Sequence, residues 1–301
     1  MNHNHIKNLI NLGFLVDEDA KNSLEDLNEE DFYKIIENLK KENIFIVTNN
    51  IIKKFLTDEI KILKKFEPNK KLTIQDYVKT LNERYSYLQE ILVKKLELKN
   101  IVSINKCSNG DTSIIGLVKT KEEKNNEILI SLEDQTGEIN VIIPKSLGEK
   151  LILDDVVAIS GKINNKILFA EKILYPDVLL RPVNYTSESI KIAFLPKDKK
   201  LDADYIIYKD KIEDKLKNKT YEITNPSIIK IKNIIVLIIF DFDPLEILKK
   251  RYFNKGNNDF IIDIAPDILF TDKEINMNYK GISIISTNKI IDLKTREVFN
   301  I

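Results

Sequence analysis

The chain has 301 residues, and at roughly 100–200 residues per domain this length allows two domains, or three if one is small. Hydrophobic residues make up 43% of the sequence, which is enough for packed cores and excludes a wholly disordered chain. The 47 basic and 47 acidic residues balance, so a globally basic nucleic-acid-binding surface is excluded, although a local basic face is not.

The cysteine and histidine counts exclude several classes of chemistry. Cys107 is the one cysteine, so the chain has no internal disulfide and no cysteine-based zinc site, which suits a reducing cytoplasm. The two histidines, His3 and His5, lie in the first five residues, where we expect a solvated chain end. Mechanisms that need a histidine in a folded core, such as Ser-His-Asp triads and His-rich metal centres, are therefore excluded.

Neither a membrane span nor a secretory signal is visible in the sequence. The longest apolar run, residues 234–240, is seven residues long, whereas a bilayer span needs about 20, so we expect a buried strand there. The N-terminal residues are polar and lack the apolar stretch of a secretory signal. We therefore expect a soluble, cytoplasmic protein that has no membrane partner.

The first 100 residues show the spacing of amphipathic helices. Residues 66–69 interrupt this pattern and predict a linker. Side-chain stripes of this kind are typical of core or of a docking surface. The predicted helix faces are formed by Leu9, Ile10, Leu12, Leu15 and Val16; by Phe32, Ile35, Ile36 and Leu39; by Ile51, Ile52, Phe55, Leu56, Ile60 and Leu63; and by Tyr77, Leu81, Tyr85, Leu88, Leu92 and Leu96.

From Ser113 the hydrophobic period changes to alternation, which predicts strands. The predicted strands are residues 113–118, 127–132, 138–143, 155–161 and 166–174, with a short helix at 145–151. Three strands, a helix and two further strands is the order of a five-stranded OB-fold barrel. Gly116 lies in the first strand, where such a barrel must bend.

Beyond residue 177 the sequence predicts a strand-rich α/β region. A helix is expected to open at Asp243 and to end near Tyr252. Residues 228–240 predict two strands joined at Lys232 and Asn233. The other predicted strands are residues 190–195, 205–208, 260–264, 268–270, 281–285 and 289–292.

Several segments match those of one known family in the same order. They are Arg84-Tyr85 with Leu88, 113–118, 134–139, 153–158 with Gly161, 167–170, 173–178, 224–227, and Ile264 before 266–268. On these segments the chain resembles the small subunit of the archaeal family-D DNA polymerase, over about residues 70–300. The first 65 residues fit only loosely, as a small helical domain.

The resemblance implies a multidomain α+β protein in which a calcineurin-like phosphoesterase domain follows the OB-fold. We expect a helical N-terminal domain at 1–66, a connecting helix at 70–100, a five-stranded OB-fold barrel at 101–180, and a degenerate α/β phosphoesterase-like sandwich at 181–301.

In that family the phosphoesterase domain implies a 3′–5′ exonuclease with two metals, commonly manganese, held by Asp, His and Asn ligands. This chain departs from the pattern wherever a motif is placed. The Asp-x-His motif is replaced by residues 196–199, and Gly-Asp-x-x-Asp by Lys209-Asp210 with Asp214. The His-Gly motif is replaced by Phe240-Asp241, and Gly-His-x-His by residues 272–275. The Gly-Asn-His-Asp motif is missing between Asp214 and Asn225. Residues 256–259 are similar to this motif but come later in the chain than the family order requires, and we expect a polar turn there.

We therefore expect no catalytic residue, no metal and no cofactor. The leading hypothesis is a non-catalytic accessory subunit of a family-D-type replicative polymerase. Such a subunit would bind and stabilise a separate large catalytic subunit through the phosphoesterase-like half, and would meet DNA mainly through the complex.

Two other functions stay open. The first is an autonomous single-stranded-DNA-binding OB protein, for which Phe169 and Tyr175 are the barrel aromatics, although we expect Phe169 in the core. Its candidate DNA-contacting residues are Lys119, Lys121, Lys124, Lys162 and Lys166, and the glutamates among them favour a solvated charged loop. The second is a still-active exonuclease, which would need metal binding by carboxylates such as Asp210, Asp214, Asp241 and Asp267.

Overall fold

A computed structural model describes residues 4–25, 27, 29–56, 60–67, 73–195, 201–215, 218–255 and 258–301 of the protein. The chain is mixed α+β and divides into two compact units, residues 1–61 and 62–301.

The N-terminal unit is helical and has one small core. Its elements are α1 (Asn4–Asn11), β1 (Leu15–Val16), α2 (Lys21–Glu25), α3 (Glu29–Lys41), β2 (Ile46–Val47) and α4 (Asn49–Leu56). The predicted stripe of α3 is confirmed, because Phe32, Ile35 and Leu39 are buried in this core. Gly13 follows α1 and has a φ of +88°, which ends the helix. Leu15 and Val16, predicted on that helix, therefore form β1, which pairs in parallel with β2.

Two further expectations for the N-terminal region are wrong. His5 is not solvated: it is buried, and its ring centroid lies 4.0 Å from that of Phe32. His3 and the predicted linker residues 68–69 lie outside the described residues. Ile60 and Leu63, predicted on a helix, lie in strand β3 (Ile60–Lys65), which belongs to a six-stranded sheet. Sheet pairing therefore overrides the local helical spacing.

The middle of the chain forms a closed five-stranded barrel. Its strands are β4 (Gly110–Lys124), β5 (Glu127–Asp134), β6 (Gly137–Pro144), β7 (Val156–Asn164) and β8 (Ile167–Leu174), with α6 (Lys145–Gly148) between β6 and β7. The strand order around the barrel is β4-β5-β6-β8-β7. Ile114, Ile128, Val141, Ile159 and Leu168 point inwards and fill it. The five predicted strands and the short helix are confirmed.

Helix α5 (Ile74–Val93) packs on the outside of the barrel. Thr73 and Asp76 close its N-terminus with a reciprocal capping box. Tyr85, Leu88 and Leu92 are buried against residues of β4 and β7, which confirms most of the predicted stripe. Leu96 lies beyond the end of α5 and is 97% exposed, so its predicted place on this helix is wrong. No helix among the described residues is long and apolar enough to cross a membrane.

Two six-stranded sheets build the C-terminal half. The first has the order β12-β11-β10-β9-β20-β21 and the second β18-β19-β17-β14-β13-β3. A helix, α7 (Pro244–Lys250), and a hairpin, β15 (Tyr252–Lys255) with β16 (Asn258–Ile261), follow β14. The remaining strands are β9 (Lys191–Phe194), β10 (Tyr205–Ile207), β11 (Lys211–Asp214), β12 (Lys219–Glu222), β13 (Ser227–Ile231), β14 (Ile234–Ile238), β17 (Ile268–Thr271), β18 (Asn276–Tyr279), β19 (Ile282–Ser286), β20 (Lys289–Asp292) and β21 (Val298–Asn300).

The apolar strands of this half are confirmed, including the β13–β14 hairpin, and Asp243 caps α7. The predicted strand 260–264 is only partly right, because β16 ends at Ile261. The polar strands β11, β12, β15, β18 and β21 were not predicted, because they lack an apolar run. Residues 258–259, expected in a polar turn, lie in β16, whereas 256–257 lie outside the described residues.

Candidate functional site

Three of the five candidate DNA-contacting lysines lie in β4, and Lys119 is the most strongly engaged. It forms ion pairs with Glu138 and with Glu133, the latter at 2.9 Å. The hydrogen bond from Lys119 to Glu138, and to a lesser extent that to Glu133, raises the pKa of Lys119. The same hydrogen bond from Lys119 lowers the pKa of Glu138. The charge of Lys119 is thus balanced by neighbours on the barrel.

Lys121 and Lys124 also have partners on the barrel. The Lys121 ammonium donates hydrogen bonds to the carbonyl oxygens of Glu149 at 3.1 Å and Leu151 at 2.8 Å, and its side chain is 18% exposed. Lys124 lies 3.8 Å from the Glu122 carboxylate, and both side chains are exposed. Lys121 therefore fixes the α6–β7 connection, whereas Lys124 lies in a solvated charged hairpin.

Lys162 and Lys166 lie in the β7–β8 hairpin and are exposed. Within the described ranges, neither has a salt-bridge partner. Lys162 is directly opposite Phe169 in the antiparallel register. Of the five candidates, these two are the most available to a phosphate, and the DNA contact itself stays a prediction.

Phe169 faces outwards, so the expectation that it lies in the core is wrong. Its neighbours Leu168 and Ala170 point into the barrel, and strand alternation sends Phe169 to the other side, where it is 44% exposed. The register places Leu129 opposite Ile142, and Ile142 opposite Phe169. We call the outward row Leu129, Ile142, Phe169 and Lys162 the barrel stripe.

Aromatic rings from the two sheets meet beside the segments on which the metal-ligand motifs fall. Phe194 at the end of β9 has its ring centroid 5.0 Å from that of Phe240, which follows β14, and 6.0 Å from that of Phe270 in β17. All three side chains are buried. The carboxyl ends of these strands therefore meet in an apolar contact.

The acidic candidates Asp241 and Asp267 have separate structural roles, because Asp241 follows β14 whereas Asp267 precedes the parallel strand β17. The backbone N–H of Asp241 donates to the Asp272 carboxylate at 3.0 Å. Asp267 is buried, forms an ion pair with Arg181 at 3.1 Å, and accepts a hydrogen bond from the backbone of Ile235 at 2.8 Å.

The remaining candidates give no shared site. Asp210 is exposed in the β10–β11 turn, whereas Asp214 is buried in β11 and has partners within the chain. Residues 196–199 lie outside the described residues. Across the part of the chain that is described, no group of three or more His, Cys, Asp or Glu residues could hold a metal ion.

A buried charged cluster joins α5, the barrel and the β15–β16 hairpin. Arg84, fully buried, pairs with Asp259 at 2.9 Å, donates to the Asp154 carbonyl oxygen at 3.1 Å, and lies 4.4 Å from the ring centroid of Tyr252. The Tyr252 hydroxyl donates to Asp155 at 2.8 Å. The sequence signal was Arg84 itself, which lies on the apolar face of its helix between Leu81 and Leu88.

Asp155 ties this cluster to α7. Lys250 lies 3.0 Å from the Asp155 carboxylate, and both side chains are buried. Burial raises the pKa of Asp155, against the opposing effects of Lys250 and of its hydrogen bonds. The barrel and the strand-rich half thus share charged partners within the compact unit 62–301.

Comparison with known proteins gives one consistent result. No protein-family model matches the chain. The DNA polymerase II small subunit of Methanothermobacter thermautotrophicus is 36% identical over 114 residues, which cover 35% of this chain and 24% of the relative. That of Pyrococcus abyssi is 36% identical over 119 residues, which cover 36% of this chain and 19% of the relative. Over about a third of its length the chain is similar to these two archaeal DNA polymerase II small subunits.

The matched part spans only 19% to 24% of the length of these two relatives. Solved structures give weaker likenesses. Asparaginyl-tRNA synthetase from Pyrococcus horikoshii has a TM-score of 0.21 at 17% identity, over 22% of this chain and 19% of that chain. An OBody bound to hen egg-white lysozyme has a TM-score of 0.24 at 16% identity, over 26% of this chain and 95% of that chain. TM-scores this low do not show that the folds are the same.

Proposed function

We propose that the chain is a non-catalytic accessory subunit of a family-D-type replicative DNA polymerase. It binds and stabilises a separate large catalytic subunit, meets DNA mainly through the complex, and lacks the 3′–5′ exonuclease. The observation that carries the accessory role is the similarity to five curated polymerase small subunits at 28% to 36% identity. A replication subunit acts on chromosomal DNA, so the cytoplasm is its expected compartment.

Two architectural features support the proposal. The barrel order β4-β5-β6-β8-β7, with a helix between its third and fourth strands, is what an OB-fold requires. The two six-stranded sheets, in which residues 181–301 supply every strand except β3, suit a degenerate phosphoesterase-like sandwich. We keep the four-part division at 1–66, 70–100, 101–180 and 181–301 as part of this proposal.

Loss of the exonuclease is supported by the composition of the strand ends. Phe194, Phe240 and Phe270 bring apolar rings where a two-metal site needs oxygen and nitrogen ligands. A fold can lose its chemistry and keep the surfaces that a partner binds.

A nuclease assay tests the loss directly. The chain, alone and with its large subunit, is incubated with a 3′ single-stranded DNA end and Mn²⁺, Mg²⁺ or Zn²⁺. We expect no metal-dependent degradation. Degradation that disappears in Asp210→Ala or Asp241→Ala, both at exposed positions, would restore the active-exonuclease reading.

A second candidate function, autonomous binding of single-stranded DNA, is favoured by one observation, the barrel stripe. An exposed aromatic ring beside a free lysine is the pairing that stacks a base and contacts its phosphate. With one such ring on the described barrel and no net charge, the isolated chain should bind weakly and lose binding as salt rises. Tight binding that Phe169→Ala abolishes without unfolding the chain would favour this function.

A further inference from the structure

The N-terminal unit exposes large apolar side chains on its pair of short strands. The parallel register pairs Leu15 with Ile46 and Val16 with Val47. Val47 is buried in the core of this unit, so strand alternation turns Leu15 and Ile46 to the opposite side. There Leu15 is 66% exposed and Ile46 is 53% exposed.

Phe45 and the end of α1 extend this exposed surface. Phe45 precedes β2, is 65% exposed, and its carbonyl oxygen accepts a hydrogen bond from the Leu15 backbone N–H at 2.8 Å. Ile10 and Leu12, at the end of α1, are also exposed. We call Ile10, Leu12, Leu15, Phe45 and Ile46 the apolar face. Contiguous exposed surfaces of large apolar side chains mark sites of protein–protein contact.

The end of the apolar face at which the strands begin is basic. Because β1 and β2 are parallel, both begin at the same end of the unit, β1 shortly after α1 and β2 shortly after α3. Lys40 and Lys41 lie in the last turn of α3 and are exposed, and among the described residues neither has a salt-bridge partner. Glu42 at the same end is paired with Lys54 at 2.7 Å.

The opposite end of the face, where the strands finish, is acidic. Asp17 follows β1 directly, and its backbone N–H donates to the carbonyl oxygen of the last residue of β2 at 3.0 Å. The Asp19 carboxylate accepts from the first backbone N–H of α4 at 3.4 Å. Both residues are exposed, and neither has a salt-bridge partner in the described part of the chain. Glu18 between them is paired with Lys21 at 3.0 Å.

A face with opposite charges at its two ends is complementary to itself. When a two-fold axis turns a second copy so that its strands run in the opposite direction, the basic end of each copy meets the acidic end of the other. A partner whose surface carries charge of one sign would be repelled at one of the two ends. Charge complementarity therefore favours a second copy of this chain as the occupant of the apolar face.

We propose that two copies of the chain associate through the apolar faces of their N-terminal units, around a two-fold axis. Leu15, Phe45 and Ile46 of each copy pack against the same residues of the other, and the oppositely charged ends pair. Because the face is small, the association is reversible and depends on protein concentration. The inference goes beyond the proposed function and does not rest on it.

Sedimentation velocity of the full chain over a range of concentrations tests the proposal. We expect a monomer–dimer equilibrium that Leu15→Gln and Phe45→Gln each weaken at least tenfold. Both side chains are exposed, so these substitutions leave the core of the unit intact. Leu180→Gln is the matched control, since Leu180 is 82% exposed in the other unit, and it should leave the equilibrium unchanged.

An exchange of charges tests the two-fold arrangement. Lys41→Glu and Asp19→Lys each place like charges across the contact and should weaken the association. The double variant places opposite charges there again and should recover most of the loss. Single variants that associate as wild type does, or a double variant that associates no better than the single ones, would overturn the proposal.

A readout without substitutions guards against misfolded variants. Isotopically labelled and unlabelled wild-type chains are mixed, joined with a zero-length carbodiimide reagent and analysed by mass spectrometry. We expect cross-links from Lys40 or Lys41 of one copy to Asp17 or Asp19 of the other.

Four results would overturn the proposal. They are a monomer at every concentration, no cross-link between labelled and unlabelled chains at these positions, an equal loss of association in Leu180→Gln, and loss of large-subunit binding in Phe45→Gln. The last result would assign the apolar face to the large subunit.

Discussion

Asp292 anchors the end of β20 through three hydrogen bonds. Its carboxylate accepts from the backbone N–H groups of Lys294 at 2.7 Å and Thr295 at 3.2 Å, and from the Ser189 hydroxyl. Burial favours the neutral acid, but these donors outweigh it and hold the pKa of Asp292 below its ordinary value of 3.8. A lowered folded-state pKa stabilises the fold above the unfolded pKa, and the gain is lost as pH falls through the folded value.

We therefore expect Asp292→Asn to lower the free energy of unfolding by about 1–2 kcal/mol at neutral pH, because the amide nitrogen cannot accept from Ser189. The difference from wild type should shrink as pH falls below about 4. Urea unfolding at several pH values measures it, with the exposed Asp111→Asn as control. A difference that is constant across this range would contradict the assigned role.

Arg84 is the other residue with a large expected effect. Its substitution by methionine leaves the Asp259 carboxylate buried without its ion pair. Breaking a buried pair costs about 3–5 kcal/mol. We expect a loss of this size in chemical denaturation, and none for Lys79→Met on the exposed face of the same helix. Adding Asp259→Leu to Arg84→Met should recover much of the loss; if it does not, the ion pair is not the cause.

The side chains that sequence reasoning misplaced show which information it lacked. Phe169 could have been placed correctly, since its buried neighbours Leu168 and Ala170 fix its direction. His5 could not, because its burial depends on Phe32, which is distant in sequence.

At the scale of elements, the β7–β8 pairing depends on Gly161. A β-carbon there would collide with the carbonyl oxygen of Phe169, at the register shift between Ser160 and Gly161. That oxygen is backbone, so only movement of the strand relieves the clash. We expect Gly161→Ala to lower the free energy of unfolding by at least about 2 kcal/mol.

Gly137→Ala is the matched control for this element. A β-carbon at Gly137 would meet only Ile104, at an ordinary 3.5 Å. Its effect should stay within about 0.5 kcal/mol of wild type, as for most surface substitutions. Equal stabilities of the two variants, measured by thermal and urea unfolding, would show that the close approach at Gly161 does not hold.

Strands were predicted correctly where apolar and polar residues alternate strongly in the sequence. They were missed where only hydrogen-bond pairing with a neighbouring strand stabilises the strand. The barrel strands alternate because one face is buried, so the sequence pattern follows the structure. Strand β12 has no buried residue and exists through its pairing with β11. Strand β3 carries apolar residues at a spacing that also fits a helix, and only its place in the sheet decides between them.

Because residues 62–301 form one compact unit, a search for the part of the chain that binds the large subunit should keep this unit whole. The shared charged cluster crosses the predicted boundary at residue 180, so a fragment that begins at Arg181 loses Arg84 and Asp155. We expect a chain lacking residues 1–59, which keeps β3, to bind the large subunit as well as the full chain does. Loss of binding in a co-purification assay, with the fragment folded by circular dichroism, would move the docking surface to the N-terminal unit.

The proposed function requires that the chain associates with the large polymerase subunit. The full chain and the large family-D subunit encoded by the same genome are co-expressed and analysed by size-exclusion chromatography in high salt. We expect them to co-elute as a stable complex, since a permanent interface buries well over roughly 2,000 Å² and is largely apolar. Separate elution of the two chains under all conditions, while each is folded, would contradict the proposed function.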